Sequence, residues 1–159
     1  MFIDNNLSVS ERYRTRVPDA PTATEALLDL IGPVGDVHVL LIGPGGLDMM
    51  CGLIDEGCAS VEMVSLGQRH RSDFSEIVIV PNIGCSAVSR EAITQARRMM
   101  RPLNSLILRF AMCDATAALV QEARDLLTCE GFSAIRAFHL SDGTVLTAEL
   151  PLCGQVASL

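Results

Sequence analysis

Four residues, Gly43-Pro44-Gly45-Gly46, separate an apolar run from an amphipathic one, and their types suit bringing a backbone close to a ligand. With no β-carbon at positions 43, 45 and 46, the chain can bend sharply, and the N–H groups opening the next segment then face whatever lies beyond the bend. A tight turn that needs positive φ would select the same residues, so ligand approach and plain chain reversal both stay open. Pro81-Asn82, after the apolar run Glu76 to Val80, offers a second polar group at a strand end, or simply a turn that closes the strand. Asp48 and Asp114 stand where helices begin and complement their dipoles whatever the function.

Cys85 and Cys113 follow neighbouring apolar runs, an arrangement open to a thiol pair or a soft metal, although no histidine stands at ligand spacing. The six cysteines, at 51, 58, 85, 113, 129 and 153, show no C-x-x-C spacing and are expected to be reduced and buried. His38 and His139 fall in apolar segments and read as structural. His70, between Arg69 and Arg71, is the histidine to test as an acid–base group, or else a solvated loop residue. Arg97, Arg98 and Arg101 close a helix and suit its carboxyl-terminal dipole. No residue stands out as a catalytic base, and no metal site is expected.

The elements that must position these residues follow from periodicity. Residues 1–20 are polar and aperiodic, an N-terminal arm ahead of a single domain over 21–159. Thr22 or Thr24 caps a short helix that stops at Gly32-Pro33. Asp36 to Ile42 is a buried strand, followed by the glycine turn and a helix from Leu47 to Glu56, in which Met49-Met50-Cys51 fills core. Ser60 to Ser65 alternates Val61 and Met63 against Ser60 and Glu62, and a polar loop over Gly67 to Asp73 follows. The run Glu76 to Val80 lacks alternation, fits a strand covered on both faces, and ends at Pro81-Asn82. Ser89 caps the next helix, Leu106 to Phe110 is another buried strand, and Asp114 caps a helix with Gly131 at its C′ position. Ala134 to Leu140 and Thr144 to Leu150, joined by Ser141-Asp142-Gly143, form an antiparallel hairpin. The expected fold class is α/β: a doubly wound, mostly parallel sheet of about six strands, helices on both faces, and a carboxyl-terminal antiparallel hairpin.

Composition bounds the function. With 159 residues and 49% apolar content the chain builds one core. A formal charge of −7 and a pI near 4.8 exclude general affinity for nucleic acid or anionic lipid. No run reaches bilayer-spanning length and no apolar leader opens the chain, so a cytoplasmic protein is expected.

This order of elements, the segment Val39-Leu40-Leu41-Ile42-Gly43-Pro44-Gly45-Gly46, and the helix end Leu126-Leu127-Thr128-Cys129-Glu130-Gly131-Phe132 resemble the S-adenosylmethionine-dependent methyltransferases over about residues 22 to 150. The resemblance implies S-adenosylmethionine as cofactor. Gly43, Pro44, Gly45 and Gly46 would hold its amino-acid part, Ser65 would lie by the ribose, and Pro81 and Asn82 would line the site where substrate enters, with Cys113 nearby. Asp48 stands where a dinucleotide-binding fingerprint needs glycine, which lowers that reading. The sequence departs from the family pattern at three places. Leu41 replaces an acidic residue ahead of the first glycine, and Ser65 or Leu66 replaces the acidic residue that grips the ribose. Only Leu66 to Ser75 separates two strands where a helix–strand–helix crossover needs roughly twenty-five residues or more, so an abridged form is expected. The second strand then becomes a sheet edge with Glu62 as its protecting charge. Otherwise the N-terminal arm, or a second copy in a homodimer, covers that edge. Two functions follow: a small methyltransferase acting on an unknown substrate, or a non-catalytic binding or scaffold protein on that fold, open to dimerising through the second-strand edge.

Overall fold

The computed structural model describes residues 23–68 and 75–152. The arm over 1–20, Thr22, His70 with its flanking arginines, and Cys153 lie outside the described residues. In chain order the elements are α1 (Ala23–Ile31), β1 (His38–Ile42), α2 (Leu47–Asp55), β2 (Ser60–Val64), β3 (Ile77–Ile83), α3 (Ser86–Met99), β4 (Ser105–Ala111), α4 (Thr116–Cys129), β5 (Ser133–Leu140) and β6 (Gly143–Glu149). The strands form one sheet in the order β2-β1-β3-β4-β6-β5. From β1 the chain moves outward to β2 on one side and through β3 to β4 on the other, so strand order reverses between β1 and β3. These four strands pair in parallel, whereas β6 is antiparallel to both β4 and β5. The expected α/β class and reversed final hairpin are what the chain forms.

The central strands lack polar alternation because both faces are covered. On one face Leu40, Val78, Leu106 and Leu108 pack with Ile93 and Ala96 of α3 and Ala123 and Leu127 of α4. On the other, Leu41, Ile79, Ile107 and Val145 pack with Leu27 of α1 and Met49 and Leu53 of α2. Each of the buried leucine, isoleucine, valine and methionine side chains among these contributes about 1.5–3 kcal/mol relative to exposure, and the alanines less. The two helices of the first face are also linked at their outer rim, where Ser86 Oγ and Arg90 Nε donate to Glu122 Oε1 at 2.5 and 2.9 Å. The Ser86 hydroxyl first, then the Arg90 guanidinium, hold the Glu122 carboxyl below its ordinary value. That small surface contribution is present above the ordinary carboxylate pKa and fades as pH falls through the lowered one.

Several expectations need correction. Pro81 and Asn82 do not end their strand: β3 continues to Ile83, with a register break between Val80 and Ile83. The break accommodates a proline that has no N–H for the ladder. Ser89 is buried inside α3, which starts at Ser86 with Cys85 as its N-cap. Asp114 does not cap α4 either. Ala115 is the N-cap, and Thr116 Oγ1 instead accepts the Cys113 N–H at 2.8 Å. Thr24 lies within α1 rather than before it. The expected alternation along β2 is not what burial shows: Met63 is 43% exposed and the buried residue is Val64, on the face of Ser60 and Glu62, β2 being the outermost strand on its side among the described residues. Cys51 likewise faces outward from the Met49-Met50-Cys51 run.

The hairpin is held against β4 at very close range. Gly143 stands opposite Ala111, and a β-carbon there would meet the Phe110 carbonyl oxygen far inside contact distance. Because the obstacle is backbone, no side-chain rearrangement relieves it. Gly143→Ala is expected to lower stability by about 2–3 kcal/mol, read as a shift of the urea midpoint without a change in slope.

Candidate functional site

The carboxyl ends of β1, β3 and β4 and the loop after β2 meet at one edge of the sheet. Ile42 runs directly into the glycine turn, where Gly43 has φ +88° and Gly45 φ +81°. These left-handed conformations explain glycine at both positions. Gly46 has φ −85°, and its glycine is explained by space: a β-carbon there would lie 3.1 Å from Met63 Cε and 3.4 Å from Leu41 Cδ1. Beyond Gly43 a β-carbon would meet nothing within 4 Å. Gly46 is also the N-cap of α2 and makes no side-chain cap, so the amino end of this helix relies on groups outside its own capping residue.

The other expected site residues gather unequally. Asn82 is brought to the turn: a β-carbon on Gly45 would sit 3.4 Å from Asn82 Cβ and 3.8 Å from Nδ2. Pro81 lines a small cavity with Thr24, Gly45, Met49 and Arg109. Ser65 is reached through backbone, since Gly43 N–H donates to Val64 O at 2.9 Å and Ser65 follows directly, with its side chain exposed. Cys113 lies in the exposed β4–α4 loop beside Thr116.

The cysteines depart from expectation. Cys51, Cys85, Cys113 and Cys129 are free and exposed, and Cys58 is free and partly buried. The four exposed ones occupy helix ends, a loop and an outward helix face, whereas Cys58 packs against the core below α1 and α2. Burial pushes the Cys58 thiol up, partly offset by a backbone hydrogen bond. Among the described residues no three His, Cys, Asp or Glu side chains gather as a metal cluster would. His38 Nδ1 lies 2.6 Å from Ser60 Oγ, and His139 Nδ1 lies 3.3 Å from Thr144 Oγ1; both serve strand pairing.

Two features were not foreseen. One is the Arg109–Asp142 pair beside Pro81, with Arg109 Nη2 and Asp142 Oδ2 at 2.6 Å. The other is Gln95 of α3, a buried amide with every polar group in use. Its Oε1 accepts the Gly67 N–H at 2.7 Å, and its Nε2 donates to Ser65 O at 3.1 Å and Gln68 O at 2.9 Å. One side chain thus shapes the start of the loop after β2. The position of Gln95 next to the apolar Ala92–Ile93–Ala96 stripe was the available signal. Replacement by leucine strands three backbone groups, and Gln95→Leu is expected to cost about 1–3 kcal/mol in urea unfolding and to speed amide exchange at Gly67.

No protein-family model matches the sequence, and no curated protein matches it. Solved structures do match in fold. A SAM-dependent methyltransferase from Aquifex aeolicus aligns with TM-score 0.62 and 11% identity over 89% of this chain and 97% of its own. A SAM-dependent O-methyltransferase from Thermotoga maritima aligns with TM-score 0.62 and 10% identity over 90% of this chain and 69% of its own. PigF, solved with SAH, aligns with TM-score 0.55 and 14% identity over 70% of this chain; the chain spans half of that protein's length. Among the described residues no helix is long and apolar enough to cross a membrane. The chain is therefore similar in fold to S-adenosylmethionine-dependent methyltransferases, with a complete β1–α2–β2 crossover and a short connection from β2 to β3.

Proposed function

We propose that the protein binds S-adenosylmethionine at the glycine turn and is a small methyltransferase. The observation that carries this reading is the contact between the turn and the end of β3: Gly45 and Asn82 approach so closely that a β-carbon on the glycine would touch the asparagine. The fit to the cofactor is supported by the open space beyond Gly43, the two left-handed glycines, and the α2 amino end, whose N-cap is a glycine with no side chain to cap it.

In this reading Gly43, Pro44, Gly45 and Gly46 hold the amino-acid part, Ser65 lies by the ribose, and Pro81 and Asn82 line the side from which substrate arrives. The cofactor supplies an electrophilic methyl group. The chain's own contribution is to hold a nucleophile in line with it, which needs placement more than a general base. A pure scaffold does not require the open turn and gives no reason for Asn82 to stand against it. Five free thiols among the described residues suit a reducing compartment, and we place the protein in the cytoplasm.

The test is calorimetric titration with S-adenosylmethionine and S-adenosylhomocysteine. Saturable binding at or below about 100 μM is expected, with a matching rise in melting temperature through mass action. Absence of any binding up to millimolar ligand would reject the cofactor.

The reading extends to assembly. Among the described residues β2 is a sheet edge, its Met63 is exposed, and Leu47 and Ile54 of neighbouring α2 are 67% and 57% exposed. A second copy related by a twofold axis would pair the two β2 edges and cover both stripes at once. Sedimentation is expected to show mass rising with concentration, and Met63→Glu is expected to abolish that rise.

A further inference from the structure

Arg109 is a charged residue on a central strand. It follows Ile107 on the face of β4 that packs toward α1 and α2, where periodicity and burial favour an aliphatic side chain. Its side chain is only 17% exposed. Nη1 donates to Pro81 O at 3.2 Å, the carbonyl at the β3 register break, and Nη2 meets Asp142 Oδ2 at 2.6 Å. These two bonds leave Nε of Arg109 and Oδ1 of Asp142 buried without partners. A purely structural ion pair gains only when its remaining polar groups are also satisfied, and this one is half satisfied.

The location supplies the reason. Arg109 shares a cavity of about 30 Å³ with Thr24, Gly45, Met49 and Pro81, space for one water or a small polar group. Arg109 therefore lines the same small cavity as Gly45 of the glycine turn. Resting on the reading above, in which the turn holds an amino-acid moiety, we infer that Arg109 receives the α-carboxylate of the cofactor, with Asp142 as the positioning residue that holds the guanidinium in place. A guanidinium already fixed by a carboxylate and a carbonyl still has N–H groups to offer a second carboxylate in a charge-assisted bond. The Asp142 carboxylate competes for that charge, so it sets the affinity rather than supplying it.

The test compares two nucleosides that differ in the amino-acid part: S-adenosylhomocysteine, which carries the carboxylate, and methylthioadenosine, which lacks it. Binding is read by calorimetry, and folding by urea unfolding of each variant. Arg109→Met is expected to weaken S-adenosylhomocysteine by about 10- to 100-fold while leaving methylthioadenosine unchanged. Asp142→Asn keeps an acceptor for Nη2 but removes the competing charge, and is expected to hold or raise S-adenosylhomocysteine affinity, by up to about tenfold. A role confined to structure makes both variants lose both ligands alike, and that outcome overturns the inference. So does unchanged S-adenosylhomocysteine binding in a folded Arg109→Met protein, which leaves the proposed cofactor standing. Failure of the unmodified protein to bind either nucleoside removes the reading on which the inference rests.

Discussion

Burial of β1 on both faces is the constraint that the rest of the molecule obeys. Val39 through Ile42 are at most 1% exposed, enclosed by α1 and α2 on one side and α3 and α4 on the other. A strand in that position has no room for chemistry along its length, so polar groups collect where it ends. The chain leaves the sheet directly after Ile42, where Gly43 adopts a left-handed conformation. The glycine turn makes that exit in one step. It returns the chain over the sheet as α2, and Gly43 N–H still finds an acceptor in Val64 at the end of β2.

The second organising fact is what the sheet lacks beyond β2. A doubly wound sheet protects its strands by adding crossovers outward, and among the described residues that growth stops after one strand. Among those residues the start of the loop leaving β2 bonds to no further strand, and Gln95 holds it from the side. An amide suits this task because it offers an acceptor and two donors from one planar group, matched to one N–H and two carbonyls. A carboxylate could accept the Gly67 N–H but would set negative charge against both carbonyl oxygens.

Most of the architecture was legible in the sequence because it rests on local signals. Uninterrupted apolar runs marked β1, β3 and β4, and the Asp142-Gly143 step marked the hairpin that reverses the last pair. Departures arose where a local signal had two physical meanings. Pro81 reads as a terminator, yet a register break lets β3 carry it and bring Asn82 to Gly45. Serine and aspartate read as caps, but Thr116 satisfies the Cys113 N–H from inside α4, so Asp114 is not needed. Cysteines inside apolar segments read as core, whereas those at 85 and 129 fall at helix ends, where even an apolar segment meets solvent. The Arg109–Asp142 pair was beyond reach because nothing in the spacing of residues 33 apart links them. Their proximity is a product of strand order, with β6 brought beside β4 rather than beside β5 alone.

That strand order also bears on why an arginine is tolerated in the middle of the sheet. The position of β6 is already set by its ladder with β4, from Ser105 opposite Glu149 to Ala111 opposite Gly143, and by the close approach of Gly143 to Phe110. A slip of one residue would put Thr144 and Glu149 on the wrong faces and drive a β-carbon into backbone. Register therefore has no need of an ion pair, and desolvating a guanidinium for that purpose would cost more than an aliphatic side chain. The expense is intelligible if the charge serves something outside the ladder. On the proposed reading, that something is the amino-acid end of a bound cofactor, beside the small cavity that Arg109 and Gly45 both line.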